Sequence, residues 1–512
     1  MNKKKNISLI QLFSHLEGIA VVPTVNTLFK NGIIDTILTD NEVSLKSLSL
    51  NKKAQMGYLN VALNTFASLG AMEKTLNQND SLYHLTSYGK EYFKLIENYS
   101  FYEQIEKELH NFIINDIKTN DLNEFINKVE KIVDVLCCKL KNLHSSNTDI
   151  HSRIAHHIEG VLIYPILLYI SHQNLNDTDT ANLEELIKKI LSQDNKINVD
   201  EIYKYILSKS KSYGVTASYQ PIFSNLDKII FKNENLIYSR KKNEKEIHVN
   251  RRLNVWGSGG AHKTYFKKID KIVIDIFNMP IDSQPSGIAD MGCGDGMFLE
   301  HLYQLILNET IRGKHLETHP LTLIAADLNQ EALEVARKNL TESNIECNFL
   351  IADISNPDKY KNDLKSNFNI NIDELLHVRS FLDHNRIYRK YDLENKIDIK
   401  SMCAYAYNGE YLTPDDITSN LINHFSSWKK YINKHGLLLL ELHGLNPKLS
   451  RKNKSQTPTI AYEATHGYSD QFIVEYEIFL KCAQFAGLKK VEKHSKVFPN
   501  EELITISLNI FK

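Results

Sequence analysis

One stretch, Ile288-Ala-Asp-Met-Gly-Cys-Gly-Asp-Gly-Met-Phe-Leu-Glu-His-Leu-Tyr303, reads as a buried strand, a glycine-rich turn and the start of an amphipathic helix. Asp290, Gly292, Gly294 and Gly296 alternate through the turn. Three glycines let the backbone bend sharply and approach a ligand with no Cβ in the way. The helix starts at once, so its unpaired N–H groups point at whatever rests on the turn. In an open parallel sheet such a turn falls beyond the carboxyl ends of the strands, where ligands sit.

Residues 251–512 supply the sheet this turn requires. After an amphipathic helix at Lys267–Phe277, strands are expected at Ile288–Met291, Leu321–Asp327, Glu346–Asp353, within Ile370–Arg379 and at Leu437–Glu441. Helices are expected at Gln330–Leu340, Ile417–Asn433 and Ile473–Ala486, with closing strands at Lys489–Ser495 and Leu503–Ile510. Alternating helices and fully apolar strands indicate a parallel sheet covered on both faces. The pattern Asp-x-Gly-x-Gly-x-Gly differs from the dinucleotide fingerprint Gly-x-Gly-x-x-Gly, which argues against an NAD-binding domain. It resembles the first motif of class I methyltransferases, which bind S-adenosylmethionine (SAM). The resemblance implies a doubly wound, Rossmann-like α/β methyltransferase domain. Gly292, Gly294 and Gly296 then pass under the amino-acid part of SAM, and Asp290 holds the turn or reaches the ligand's ammonium through water. Asp327 accepts from the ribose hydroxyls, and Asp353, with Ile354, accepts from the adenine amino group.

The 512 residues are too many for one typical domain. Residues 1–95 form a winged-helix-like region: an apolar helix over Leu16–Phe29, short helices at Ser44–Ser49 and Gln55–Leu69, then a hairpin from Ala71 to Thr86. A winged helix that binds DNA needs charge first, and the hairpin here has a single lysine, Lys74. A dimerisation or lid role is the expectation, and a DNA-binding sensor is the competing class. Residues 96–250 read as a helical insertion or lid, with a loop at Asn174–Asn182 and a basic linker at Arg240–Arg252. His157-Ile-Glu-Gly-Val-Leu-Ile-Tyr-Pro165 echoes His15-Leu-Glu-Gly-Ile-Ala-Val-Val-Pro23, which suggests two copies of one helical unit. Adjacent His156 and His157 point about 100° apart on a helix and make no metal pair with each other; interhelical or surface roles are expected.

Three further constellations follow the later strands. They are Leu376–Arg386 with His377, Arg379, Asp383 and His384; Glu441-Leu-His443-Gly; and Ala461–Gln471 with Tyr462, His466, Tyr468 and Asp470. Imidazoles with a carboxylate or carboxamide suit Fe, Mn or Co with positions open to a chelating substrate. A metal-free site with His384 as general base is the alternative.

Together, Asn254–Lys263, His377–His384 and Ala461–Gln471 resemble the metal-dependent C-methyltransferase domains of polyketide starter-unit modules of the apratoxin and saxitoxin type. A more distant similarity is to 2-oxo acid C-methyltransferases. The resemblance covers residues 250–490 best. It implies a mononuclear Fe or Mn held by His466 and Gln471, with His384 as a third ligand or a close neighbour of the metal, and Asp383 and His443 ranked below them. The expected reaction methylates the enolisable carbon of a malonyl-type or 2-oxo acid substrate, free or carried on an acyl carrier. His377, Tyr468 or a metal-bound water takes the proton, and Arg379 or Lys263 pairs with a substrate carboxylate. A metal-independent O- or N-methyltransferase of a small metabolite is the second class.

A net charge of −1 excludes a global attraction to nucleic acid or anionic membrane. Six cysteines without a C-x-x-C pair fit reduced thiols. The N-terminus makes a poor signal peptide, and no run of 18 apolar residues is found, so a cytoplasmic protein, a homodimer through the N-terminal region at most, is expected.

Overall fold

The computed structural model describes residues 3–77, 80–110, 122–146, 148–172, 175, 177–232, 247–391 and 399–512. The chain divides into two units. Unit one comprises Met1–Ser258, Met402–Leu412 and Asn446–Asp470; unit two comprises Gly259–Ser401, Thr413–Leu445 and Gln471–Lys512. The regions expected over 1–95 and 96–250 thus lie in one unit. The region expected over 251–512 gives three segments to it, 251–258, 402–412 and 446–470.

Unit one is built on two long helices, Lys3–Lys30 and Asp149–His172. They pack at the repeated His-x-Glu-Gly motif. A Cβ added at Gly18 would lie 2.4 Å from the His157 carbonyl oxygen, and one at Gly160 would lie 2.3 Å from that of His15. The contact is reciprocal, as across a two-fold axis. The two expected copies are therefore packed on each other. Both helices are long and apolar enough to cross a membrane, with mean hydropathies of 1.3 and 1.4, but 78% and 83% of those stretches are buried inside the protein.

The winged part follows. Strands β1 (Glu42–Ser44), β2 (Met72–Asn77) and β3 (Asp80–Leu85) form an antiparallel sheet in the order β1-β3-β2. The Met56–Leu69 helix packs against it and ends at Gly70, whose φ of 89° only glycine adopts freely. Lys74 does not face solvent. Its ammonium donates to Asn64 Oδ1 (3.2 Å) and to the carbonyls of Met402 (2.9 Å) and Cys403 (3.0 Å). A short hairpin, β8 (Ala406–Tyr407) and β9 (Glu410–Tyr411), lies on the same helix, where the Gly57 N–H donates to the Gly409 carbonyl at 2.8 Å.

Part of the loop expected at Asn174–Asn182 is instead the start of a helix, Asp177–Leu191. Asp177 and Asp179 favour its N-terminus, and Leu183, Leu186, Ile187 and Ile190 bury one face. Residues 174 and 176, and the linker up to residue 246, lie outside the described residues.

Unit two holds a seven-stranded sheet. Its strands are β4 (Gly287–Met291), β5 (Thr322–Asp327), β6 (Asn348–Ile351), β7 (Leu375–Ser380), β10 (Leu437–Leu442), β11 (Lys496–Pro499) and β12 (Ile504–Phe511). The order is β11-β12-β10-β7-β4-β5-β6. The five strands from β10 to β6 are parallel, and β12 pairs antiparallel with both β10 and β11. From β4 the chain builds outward through β5 and β6, then returns to place β7 on the other side. The reversal lies between β4 and β7, and in doubly wound sheets ligands bind beyond the carboxyl ends of such a pair. The first closing strand is not Lys489–Ser495. That stretch makes one bridge at Lys490 and a turn over Glu492–His494, and β11 begins at Lys496. Its lysines and Glu492 break the apolar alternation a strand needs.

Candidate active site

The turn after β4 carries three glycines in left-handed conformation. Gly292, Gly294 and Gly296 have φ of 73°, 54° and 79°. A Cβ on Gly292 would strike Leu382 at 2.9 Å, just past β7, and one on Gly296 would crowd Ala336 at 3.3 Å. A Cβ on Gly294 would meet nothing within 4 Å. Two of these glycines therefore serve packing, and Gly294 leaves its face to a ligand.

Asp290, Asp295 and Asp327 lie together at the turn. Asp290 is buried, and its Oδ1 has no hydrogen-bond partner. Burial, then the charges of Asp327 and Asp295, hold its carboxyl well above the usual carboxylate range. Asp327 Oδ2 accepts from the Gly294 N–H at 3.1 Å and Oδ1 from the Asn329 N–H at 2.9 Å. The expected ribose acceptor therefore also braces the glycine turn. Asp353 accepts from the Ser355 N–H at 2.7 Å, and the Ile354 carbonyl accepts from Trp428 Nε1 at 2.8 Å. An unpartnered buried acid among two others is relieved by a cationic ligand. The sulfonium and ammonium of SAM fit that requirement.

The segment after β7 is held from below. Arg379 is fully buried; its Nη1 donates to Asp383 Oδ1 at 2.7 Å, and its guanidinium stacks 4.0 Å from the Trp428 ring centroid. His424 Nε2 reaches the same Asp383 oxygen at 2.8 Å. Burial raises the Asp383 carboxyl, and Arg379 and His424 more than offset this, leaving it below the usual carboxylate range. Phe381, between these groups, is held at φ 56°, which a side chain of its size rarely adopts.

This placement corrects two expectations. Arg379 was expected to meet a substrate carboxylate, but Asp383 already holds its charge inside the protein. His377 was expected among the proton acceptors. Its Nε2 donates to the Ile372 carbonyl at 3.1 Å, its ring packs on Trp428, and burial with the Arg379 charge pushes it down to about 3. It is a core histidine.

His384 differs. Its Nδ1 lies 2.7 Å from Glu441 Oε1, at the end of β10. Glu441 also accepts the N–H groups of Asp383 and Leu442, each at 2.7 Å. A carboxylate held this way fixes the imidazole tautomer and turns Nε2 outward, the arrangement of both metal-bound and base histidines. The Phe472 N–H donates to the His384 carbonyl at 2.7 Å, which brings Gln471 into the neighbourhood of His384. His443 belongs elsewhere: its Nε2 meets Ser507 Oγ at 2.7 Å, its ring packs on Tyr476 and Phe479, and burial pushes it down to about 3.

His466 and Tyr468 lie in unit one, on the Thr459–Tyr468 helix. His466 Nδ1 lies 2.6 Å from the Tyr462 carbonyl, which can only accept, so Nδ1 carries the proton and Nε2 the lone pair a metal needs. Tyr468 was the other protein group named to take the proton. It is fully buried, with its hydroxyl 3.3 Å from Thr24 Oγ1, and burial pushes it far up. It serves packing. The side chain of Lys263 lies outside those described.

Glu441 and His424 join the site without being marked as site residues by the sequence. Glu441 carries the same signal that singled out Asp327, an acid closing an apolar strand. His424 sits mid-helix in Pro414–Ile432 with no local mark.

A family model described as the AprA MT2-like domain matches residues 246–509, and one described as the AprA N-terminal domain matches residues 9–74. A search of the curated proteins returns no match. Among solved structures, an O-methyltransferase family 2 protein from Planctomyces limnophilus is 9% identical, with 98% of this chain and 96% of that one covered and a TM-score of 0.42. The CurJ carbon methyltransferase is 12% identical over 74% of this chain and 98% of its own, with a TM-score of 0.33. The DszA carbon methyltransferase is 8% identical over 99% and 90%, with a TM-score of 0.34. Likenesses this loose carry no argument about the reaction.

Proposed function

Because the chain belongs to the AprA MT2-like family of SAM-dependent methyltransferases, we propose that it methylates an enolisable carbon of a malonyl-type or 2-oxo acid substrate, free or carrier-bound. The proposed helper is a mononuclear Fe or Mn, with His466, Gln471 and His384 as its ligands. The observation that carries the reading is the His384–Glu441 pair at 2.7 Å, one strand from the glycine turn. Donor chemistry supports the metal: both His384 and His466 have Nδ1 engaged by an oxygen, which leaves the ring lone pair on Nε2, as in metal-binding histidines.

Carbon attacks a sulfonium methyl only as an enolate, so a Lewis acid beside the carbonyl, when bound, supplies the acidity the C–H bond lacks. The chain's own residues do the positioning. The glycine turn and Asp290 hold the methyl donor on the carboxyl edge of β4. Glu441 fixes the His384 ring, and the Arg379–Asp383–His424 network keeps the His384 segment from shifting. Orientation of this kind accounts for much of the rate gain in methyl transfer.

The test is metal analysis of the purified protein, coupled to turnover of isotope-labelled SAM on malonyl and 2-oxo acid substrates. His466→Ala and Gln471→Ala each lose metal and activity while keeping SAM affinity, and Glu441→Gln costs about 10–100-fold in activity. Full activity after metal stripping would overturn the metal reading. The His384–Glu441 pair also favours a second reading, a metal-independent O- or N-methyltransferase with His384 as general base. Its signature is turnover indifferent to chelators.

A further inference from the structure

The two halves of the helix crossing in unit one match except in what neutralises each buried glutamate. Glu17 receives Arg153, whose guanidinium donates from Nε at 3.2 Å and from Nη2 at 2.9 Å. The residue in the equivalent place, four before His15 as Arg153 is four before His157, is Gln11. It gives Glu159 only a neutral amide, at 3.3 Å. The imidazole four residues on is common to both halves, since His157 Nε2 also lies 3.5 Å from Glu17 Oε2; His144 is what takes the place of the missing arginine. His144 Nε2 lies 2.7 Å from Glu159 Oε1, and His15 Nε2 lies 3.1 Å from Oε2. The His156 ring centroid is 5.4 Å from that of His144 and 6.4 Å from that of His15. One ligand atom from each of His144, His156 and Glu159 falls within 4.8 Å of the others.

We propose that His144, His156 and Glu159, with His15 as fourth donor, bind a divalent transition-metal ion of the zinc class. Three imidazole nitrogens and one carboxylate oxygen form a donor set that zinc accepts in tetrahedral geometry. The outer partners suit it. The Tyr213 hydroxyl engages His15 Nδ1 at 2.7 Å, and Asp194 stands 3.7 Å from His144 Nδ1, so the Nε2 atoms of both rings face Glu159. The ion does for Glu159 what Arg153 does for Glu17, and it ties the Leu122–Ser145 helix to the crossing. Its uptake displaces the protons shared between the imidazoles and Glu159. None of these ligands belongs to the metal set proposed for methyl transfer.

The experiment uses the full chain carrying His466→Ala and Gln471→Ala, which removes the other proposed site. After dialysis against a weak chelator, a single zinc is retained and added zinc raises Tm. Cobalt substitution gives the visible absorption of a tetrahedral ion. Adding His156→Ala, at a partly exposed position, abolishes retention and the cobalt spectrum and leaves SAM affinity unchanged. His156→Cys keeps the ion and adds a thiolate-to-cobalt charge-transfer band, which a purely structural histidine would not produce. A zinc-free protein whose Tm ignores zinc, or zinc retained after His156→Ala, overturns the site.

Discussion

The glycine turn of unit two and the helix crossing of unit one both depend on glycine, for opposite reasons. At the crossing, Gly18 and Gly160 have ordinary helical backbones, and each missing Cβ makes room for a carbonyl of the other helix. At the turn, Gly294 has a φ of 54° and open space where its Cβ would be. A glycine that a neighbouring backbone fills serves packing. A glycine that nothing fills, on the carboxyl edge of a parallel sheet, serves a ligand. The same contrast separates the histidines: His157 is closed in by Tyr99 and Glu17, whereas the His384 ring is fixed through one nitrogen by Glu441 at the end of β10.

The largest effect that tests this contrast is Gly160→Ala. A Cβ 2.3 Å from the His15 carbonyl must push the helices apart, and overpacking of this kind costs about 3 kcal/mol. Urea unfolding followed by circular dichroism reads it, and Gly18→Ala gives a similar loss. If either variant unfolds at the wild-type midpoint, the crossing is not the tight contact described.

How much of this was legible in the sequence depended on the range of the contact. The turn and its strands are local, and Ile288–Met291, Leu321–Asp327 and Leu437–Glu441 are strands within a residue or two. The His-x-Glu-Gly repeat was visible because four adjacent residues carry the whole crossing. That residues 402–412 and 446–470 join unit one was not legible. The ties involved, Lys74 to the Met402 carbonyl and Tyr58 to Asp470 at 2.9 Å, join residues hundreds apart in the chain. The roles of Arg379 and His377 failed as expectations for a related reason. Alternation along β7 says which residues share a face, but Trp428 and Asp383 decide whether that face is core or site.

A second, smaller effect sharpens the contrast between core and site histidines through pH. His377 and His443 are held near 3 in the folded protein, against 6.5 for an ordinary imidazole. Between these values the unfolded chain binds a proton at each position that the folded chain refuses, so acidification favours unfolding. Above 6.5 both states are neutral and the term vanishes. Each group therefore removes about 2 kcal/mol between pH 6.5 and about pH 5. In His443→Gln the slope of unfolding free energy against pH falls by the share of one group. An unchanged slope would mean that the ring is protonated in the folded state and is not the core histidine described.

The smallest effect on stability, and the most telling for function, is Gly294→Ala. With nothing within 4 Å, the cost is only that of a left-handed backbone, about 1 kcal/mol. The same methyl group occupies the face where the methyl donor's amino-acid part is expected, so SAM affinity falls about tenfold or more by calorimetry. Stability and affinity then separate: Gly160→Ala destabilises the protein without touching the turn, and Gly294→Ala spares the fold and weakens the ligand. A Gly294→Ala protein that binds SAM as tightly as the wild type would show that the open face of the turn is not where the cofactor lies. The cofactor would then have to be sought from Asp327 and Asp353 outward.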